Sequence, residues 1–214
     1  MTAWRKEQGR DRFFRRAHEE GFRARSVYKL TEIVERHRIL RSGDAVVDLG
    51  AAPGSWSQIT AQIVGPRGRV VAVDLTEIAP LPNVVTIQAD MTHPAALQAI
   101  RDALGRPADA VLSDAAPATT GIAITDHARS VELCRTALGL AGELLRPGGA
   151  FVTKIFRGSD FDAFLAEVKR RFAQVKVVVP EATRKESKEA FVVGLGFKGN
   201  PPSLRGKGDG GSVA

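Results

Sequence analysis

The sequence is poor in cysteine, tyrosine, tryptophan and methionine, with Cys134 as its one cysteine among 214 residues. A single cysteine excludes an internal disulfide framework and a thiolate zinc cluster, and it fits a reducing cytoplasm. The four histidines, His18, His37, His93 and His127, are scattered without the spacing of metal ligands. We therefore expect no metal site and no histidine-based catalytic triad.

Long apolar runs are also absent. No segment approaches the roughly 18 consecutive apolar residues that a membrane span requires. The first ten residues, MTAWRKEQGR, lack the apolar centre of a signal peptide, and the arginine-rich start carries too many acids for a transit peptide. We expect a cytoplasmic protein without a membrane anchor.

Acidic residues are outnumbered, with 24 Asp and Glu against 31 Lys and Arg, which gives a net charge of +7. Such a balance is typical of proteins with polyanionic partners, although solubility alone would also be served by it. The length and the 43% hydrophobic content leave room for one core. We predict a basic N-terminal segment over residues 1–21, one folded domain over 22–197, and a disordered Gly/Pro/Ser-rich tail over 198–214.

Short apolar runs alternate along the chain with stretches of helical periodicity. The patterns predict helices over 26–37, 56–64, 94–104, 124–145 and 160–172, and strands over 45–49, 69–74, 84–88, 109–114, 150–155, 175–179 and 190–197. Such alternation favours a mostly parallel sheet covered by helices on both faces. The last two strands are separated only by a polar loop, too short for a crossover helix, and should pair antiparallel. We predict an α/β, Rossmann-like fold of class I methyltransferase type, a seven-stranded sheet with one antiparallel strand.

A glycine-rich turn follows the first predicted strand. Gly50 and Gly54 lie where a Rossmann-like sheet opens its ligand crevice, and glycine allows the backbone to approach a ligand closely. A dinucleotide-binding turn would have a second glycine where this chain has Ala52. The turn therefore favours a cofactor that lacks phosphate groups over a nicotinamide dinucleotide.

Acidic residues follow the next two predicted strands. Asp74 is placed to accept hydrogen bonds from a ribose diol, and Asp90 could meet the edge of an adenine. Either carboxylate alone could equally cap the next helix, but their order at successive strand ends favours a nucleoside-containing cofactor. Trp56 opens the following helix, where it is as often a core anchor as a cofactor contact.

Four further polar residues occupy positions where the chemistry of a site is expected: Lys29, Asp114, Lys154 and Glu189. Lys154 ends an apolar run that should be a buried strand, and burying an ammonium group is costly unless it has partners. Taken alone, it would be interpreted as a lysine that extends its head group to solvent. The turn at residues 157–160 is interpreted as an ordinary helix start.

The motifs RARS before Lys29, DLGAAPGSWSQ, SDAAP, TKIF and KESKEAFVVG, taken in this order over residues 22–196, resemble the FtsJ/RrmJ family of RNA ribose 2′-O-methyltransferases. The resemblance implies that Lys29, Asp114, Lys154 and Glu189 form the family's catalytic tetrad. It also implies an S-adenosyl-L-methionine site lined by Gly54, Trp56, Asp74, Asp90 and Asp114. In one respect the chain departs from the family: Ala118 stands where an asparagine is usual, which bears on substrate placement.

The compact size and the short basic start are most similar to family members that methylate a uridine of 23S ribosomal RNA. The resemblance thus implies ribosomal RNA of the large subunit as the partner of an enzyme that we expect to be monomeric. A transfer RNA ribose methyltransferase and a catalytically silent RNA-binding assembly factor remain open. The silent factor is disfavoured because binding alone does not require both lysines and both acids.

The expected reaction needs few groups. A methyl group on a sulfonium is already activated, so the protein has to align the ribose oxygen and remove its proton. Lys154 could serve as the base if burial and Lys29 favour its neutral amine, while Asp114 and Glu189 would favour the ammonium form. Because these effects oppose each other, the sequence does not decide the balance between them, and the assignment of Lys154 as the base is what the resemblance implies.

Overall fold

The computed structural model describes residues 12–117, 120–184 and 187–199. Within them the helices are α1 (Arg12–Glu19), α2 (Val27–His37), α3 (Ser55–Val64), α4 (Pro94–Leu104), α5 (Ala123–Leu144) and α6 (Phe161–Arg171). The strands are β1 (Ala45–Leu49), β2 (Arg69–Asp74), β3 (Val84–Gln88), β4 (Ala108–Ser113), β5 (Leu145–Phe156), β6 (Phe172–Val178) and β7 (Glu189–Phe197). Residues 1–11 of the predicted basic segment and 200–214 of the predicted tail lie outside the described residues. None of the described helices is long and apolar enough to cross a membrane.

The seven strands form one sheet in the order β3-β2-β1-β4-β5-β7-β6. Strands β1 to β5 pair in parallel, while β7 runs antiparallel to both of its neighbours, β5 and β6. The predicted α/β class, the seven strands and the single antiparallel strand are confirmed. The direction of winding reverses between β1 and β4, which opens a crevice at the carboxyl ends of these two strands.

Helices cover both faces of the sheet because its central strands are apolar on both sides. All five residues of β1 are buried. On one face, Leu30 and Ile33 of α2 pack with Trp56 of α3 against the sheet. On the other face, α4, α5 and α6 contribute Ile100, Leu138 and other residues to the larger core. The apolar periodicity of each helix thus fixes which side of it meets the sheet.

Several boundaries differ from the predicted ones, for reasons of pairing. Strand β6 begins at Phe172 instead of residue 175, since Phe172 pairs with Phe197 and buries its ring beside Phe151. Strand β5 begins at Leu145, which pairs with Ala108 across a register shift in β4. A proline and two glycines follow Leu145, and they led us to predict a break before the strand.

Ser26 directly precedes α2, but its side chain does not cap the helix. Ser26 adopts helical backbone angles and its side chain makes no capping hydrogen bond. Its hydroxyl instead lies 2.8 Å from the hydroxyl of Ser55 at the start of α3. The contact joins the starts of two helices that cover the same face of the sheet.

Helix α1 was not predicted, because its few apolar residues are scattered among arginines. It is held to α2 by aromatic contacts: the Phe13 and Tyr28 rings are 5.6 Å apart, and the Arg16 guanidinium lies 4.7 Å from the Tyr28 ring centre. Such contacts place cationic side chains outside the core while anchoring the helix.

Candidate active site

Three aspartates lie on one face of the sheet at the carboxyl ends of neighbouring strands. Asp48 of β1 pairs with Ala72 of β2 and with Leu112 of β4. Asp74 and Asp114 follow these two partners by two residues each. Side chains two residues apart on a strand point to the same face. The three carboxyl groups therefore converge at the point where the sheet reverses its winding.

A cavity of about 740 Å³ opens at this edge, with Gly50, Asp74, Asp90, Asp114 and Lys154 in its lining. Its apolar wall includes Met91, which lies between β3 and α4, together with Val73 of β2 and Leu133 of α5. Its size is in the range of pockets that enclose a small ligand or cofactor. The sheet thus brings residues predicted to bind the cofactor and residues predicted to act on the acceptor to one cavity.

The glycines of the first turn are required by contacts within the protein. Gly50 has a φ of 70°, and a Cβ there would lie 2.6 Å from the Cα atom of Ala115. Gly54 has a φ of 106°, and a Cβ there would meet the Arg23 guanidinium at 2.9 Å. The sequence led us to expect close approach to a ligand, but at both positions the close neighbour is another segment of the chain.

Arg23 fixes this turn from outside. Its Nη1 donates hydrogen bonds to the carbonyls of Pro53, at 2.9 Å, and Ala79, at 2.8 Å, and its Nη2 donates to the carbonyl of Pro80 at 3.0 Å. A guanidinium is suited to this because its donors have a fixed geometry. The turn after β1 is thereby joined to the segment after β2.

Asp74 and Asp90 both line the cavity and both hold their own loops. The two oxygens of Asp74 accept hydrogen bonds from the backbone N–H groups of Ala52, at 2.9 Å, and Thr76, at 2.8 Å. Asp90 accepts hydrogen bonds from the backbone and hydroxyl of Thr92, which lower the pKa of its carboxyl. Each carboxylate oxygen can accept more than one hydrogen bond, so both remain able to receive a ligand hydroxyl or amine.

Asp48 is the one of these three aspartates that does not line the cavity, and the sequence analysis did not single it out. It is completely buried, its Oδ2 accepts a hydrogen bond of 2.6 Å from Ser57, and its Oδ1 has no hydrogen-bond partner within the described residues. Burial, reinforced by the nearby Asp114 and Asp74, raises the pKa of this carboxyl to about 7. An acid inside the apolar run that forms β1 was the signal that could have identified it.

Trp56 does not reach the cavity. Its side chain is buried, its Nε1 donates a hydrogen bond of 2.9 Å to the carbonyl of Ser26, and its ring lies 5.7 Å from that of Phe191. The tryptophan thus joins α3 to the residue that precedes α2 and to the sheet. Gly54 likewise lies outside the cavity lining, at the start of α3.

The first lysine–carboxylate pair joins β5 to the end of β4. Lys154 Nζ lies 3.0 Å from Asp114 Oδ1 and donates a hydrogen bond of 2.7 Å to the Asp114 carbonyl. Both side chains are largely buried, at 11% and 19% exposure. The sheet register places them side by side, because the residues that precede them, Ser113 and Thr153, are paired.

The second pair joins α2 to the start of β7. Lys29 Nζ donates a hydrogen bond to Glu189 Oε1, and both side chains are nearly buried, at 11% and 12% exposure. Buried ion pairs of this kind contribute little net stability, because desolvation offsets most of their attraction. Two such pairs at one edge are therefore better explained by chemistry than by folding.

Phe191 lies between the two pairs. It is the register partner of Lys154, and Glu189 precedes it by two residues on the same face of β7. Diagonal positions of this kind are about 7–8 Å apart on a sheet. The Lys29 ammonium lies 5.9 Å from the Phe191 ring centre. The fold thus brings all four predicted acceptor residues to one face beside the cavity.

Cys134 is buried, and its Sγ donates a hydrogen bond of 2.9 Å to the carbonyl of Lys154, behind the site. Among the described residues, no group of three or more His, Cys, Asp or Glu side chains is arranged to hold a metal ion. Ala118, the departure from the family pattern, lies outside the described residues.

The sheet order with its antiparallel seventh strand, and the carboxylate-lined cavity where the winding reverses, define a Rossmann-like fold of the class I methyltransferase type. Comparison with known families then identifies the group: a model of the FtsJ-like methyltransferases matches residues 22–197. The chain belongs to the FtsJ-like methyltransferase family.

Individual relatives agree with this assignment. The chain is 52% identical over 185 residues to the ribosomal RNA large subunit methyltransferase E of Methanothrix thermoacetophila, an alignment covering 86% of this chain and 72% of the relative. It is 44% identical over 197 residues to the protein of the same name from Pseudomonas fluorescens, covering 92% of this chain and 94% of that one. A solved Plasmodium falciparum structure, described as a ribosomal RNA methyltransferase, has a TM-score of 0.75 at 26% identity and covers 84% of this chain and 100% of its own.

Proposed function

We propose that this protein transfers a methyl group from S-adenosyl-L-methionine to a ribose 2′-hydroxyl, and that the acceptor is a uridine of 23S ribosomal RNA in the large ribosomal subunit. The observation that carries the proposal is the pair of buried lysine–carboxylate contacts, Lys154 with Asp114 and Lys29 with Glu189, beside the cavity. The relatives' names supply the ribosomal substrate.

The charge of the cavity supports a cofactor without phosphate groups. Its lining contains four carboxylates, Asp74, Asp90, Asp114 and Glu132, and two cations, Arg129 and Lys154. Such a lining repels a pyrophosphate and attracts a sulfonium. When bound, S-adenosyl-L-methionine supplies a methyl group that its sulfonium charge has already activated.

The cofactor half of the site would use residues along β1 to β3. Asp74 would accept hydrogen bonds from the cofactor's ribose diol, and Asp90 would accept one from the adenine edge. Val73, Met91 and Leu133 offer an apolar wall for the adenine ring. Gly50, Gly54 and Trp56 would act indirectly, by fixing the shape of the turn and the helix that follows β1.

The acceptor half would use the four tetrad residues. Lys154 Nζ would take the proton from the 2′-hydroxyl, with Asp114 holding it at the junction between cofactor and acceptor. Glu189 fixes the position of Lys29, whose ammonium would orient the acceptor oxygen from the opposite side. Alignment and proton removal are what attack by a poorly acidic hydroxyl requires.

An RNA partner is supported by charge. The chain carries a net charge of +7, and α1 presents arginines beside the tetrad's helix α2. A ribosomal substrate would place the protein in the cytoplasm, where we propose that it acts as a monomer of one catalytic domain over residues 22–197. The flanking segments would not be required for the chemistry.

The test is to incubate the protein with labelled S-adenosyl-L-methionine and, in parallel, unmethylated large ribosomal subunits, free 23S ribosomal RNA and transfer RNA. The proposal expects label on the 2′-oxygen of one uridine of 23S ribosomal RNA. Label on transfer RNA ribose would instead support the transfer RNA enzyme. Tight RNA binding without any transfer would support the silent assembly factor, and label on a base would exclude ribose methylation.

A further inference from the structure

A second cavity, of about 630 Å³, opens beyond the ends of β5 and β7. Its lining includes Ile124, Phe156, Arg157 and Lys188, and among the described residues it shares none with the lining of the cofactor cavity. A volume of this size can enclose a nucleotide-sized ligand. Neither the tetrad nor the cofactor site uses it.

The second cavity continues the acceptor site along the sheet edge. Phe156 is the register partner of Glu189, and one step further the backbone N–H of Arg157 donates a hydrogen bond of 3.0 Å to the Lys188 carbonyl. Arg157 is three residues from Lys154, or about 10 Å at 3.3–3.4 Å per residue. A strand of RNA whose ribose lies at Lys154 therefore has its neighbouring nucleotides within reach of this cavity.

The charge of the cavity suits a phosphate. Arg157 and Lys188 are exposed cations at its mouth. Its acidic lining residue, Asp126, accepts three hydrogen bonds from the backbone N–H and hydroxyl of Thr120 and the backbone N–H of Gly121, so this carboxylate is committed to its own loop. Among the described lining residues, two cations, Arg157 and Lys188, thus stand against one carboxylate, that of Asp126.

His127 forms the floor of the cavity. Its Nε2 accepts a hydrogen bond of 3.0 Å from the backbone N–H of Asp160, so the ring proton lies on Nδ1, which donates to the carbonyl of Phe156 at 2.9 Å. Gly158 packs so closely against this ring that a Cβ at its position would lie 2.5 Å from a ring atom. These contacts fix the turn that presents Arg157.

The turn is more than a helix start. Asp160 precedes α6, but its side chain makes no capping hydrogen bond. Its carboxylate accepts a hydrogen bond of 2.9 Å from the hydroxyl of Ser159 and lies 3.2 Å from His127 Nε2. Capping therefore does not explain the sequence of residues 157–160.

The apolar part of the cavity suits a nucleobase. Phe156 lines it with a half-buried ring, and Ile124 at the start of α5 is 83% exposed. Single-stranded RNA is commonly recognised by stacking of unpaired bases on aromatic side chains while cations hold the backbone. An exposed isoleucine beside two cations matches that combination of base and phosphate.

We infer that this cavity binds the nucleotide next to the methylated one, with its phosphate at Arg157 and Lys188 and its base against Phe156 and Ile124. The inference rests on the proposed RNA substrate and adds to it a subsite for a neighbouring nucleotide beside the tetrad. A single-stranded acceptor segment follows from it, because a paired base could not enter the cavity.

The experiment measures binding of a fluorescent, single-stranded oligouridine at a series of salt concentrations, without cofactor. The test variant is Arg157→Ala/Lys188→Ala, and the matched control is Arg67→Ala/Arg170→Ala, which removes two exposed cations at the opposite edge of the sheet. The test variant should reduce the magnitude of the slope of log affinity against log salt by about 0.7, the value for the one phosphate that the protein no longer neutralises. The control should bind like the parent.

A photo-cross-link locates the base independently. The same oligomer carrying 4-thiouridine should attach to residues 155–159 or to Ile124, and the test variant should not form this product. Equal slopes for the test and control variants, no binding by the parent, or cross-links confined to other segments would each overturn the inference. Because neither readout requires methyl transfer, failure here is distinguishable from failure to methylate ribosomal RNA.

Discussion

The buried carboxyl of Asp48 should make the stability of the fold depend on pH in a direction unusual for an aspartate. In the folded protein burial raises its pKa to about 7, against an ordinary value of 3.8. As pH rises from about 4 to about 7, the unfolded chain releases this proton while the folded chain keeps it. The Asp48 contribution to the free energy of unfolding therefore falls over that range and stays low above it.

The size of the effect follows from the difference in proton affinity. At about 1.4 kcal/mol per tenfold change, it is on the order of 4 kcal/mol. Asp48→Asn should remove this loss, since the amide is neutral at every pH and its oxygen can still accept the Ser57 hydrogen bond. The variant should therefore gain stability relative to the parent as pH rises.

Urea denaturation of both chains, from about pH 4 to about pH 8, measures this gain directly. Asp102→Asn, an exposed substitution on α4, controls for the removal of one negative charge. A parent-to-variant difference that does not change with pH would refute the raised pKa and with it the buried-acid account of Asp48.

Three further outcomes are expected. Trp56→Phe should cost about 1–3 kcal/mol of stability, since it removes the indole hydrogen bond to the Ser26 carbonyl and leaves space where the buried indole packed, and calorimetry should find cofactor affinity unchanged; a loss of affinity would place the ring in the cofactor site. Arg15→Ala on the exposed side of α1 should lower the salt slope of RNA binding by up to about 0.7, and an unchanged slope would mean that α1 stays off the RNA. Truncation after Lys198 should leave the melting temperature nearly unchanged, because the tail has too little apolar content to offset the entropy of ordering it; a large drop would contradict this.

Local patterns in the sequence predicted most of the sheet, because its central strands are short apolar runs bounded by turns. β1, β2 and β3 have their predicted bounds. The position of β7 between β5 and β6 was not predicted, because the order of strands in a sheet depends on pairing between segments that are distant in the sequence. The early start of β6 has the same cause, because the Phe172–Phe197 pair is visible only in three dimensions.

The candidate site divides in the same way. The structure brings Asp74, Asp90, Asp114 and Lys154 to one cavity, with Glu189 on the same face; the sequence had singled out Asp74 and Asp90 by their places at strand ends and the other three by their motifs. The motifs did not indicate which glycines contact a ligand and which contact the chain, because that depends on what lies above the turn. They also did not reveal the second cavity, whose residues come from three separate segments.

The most direct test of the account is a pair of measurements on Lys154→Ala: single-turnover methyl transfer and calorimetric affinity for S-adenosyl-L-methionine. Transfer should fall at least roughly a hundredfold, as is typical when a general base is removed, while cofactor affinity stays near the parental value. Arg67→Ala serves as the folding and handling control. Transfer near the parental rate would make Lys154 a structural lysine, and a fall in cofactor affinity would contradict the division of the site into cofactor and acceptor halves.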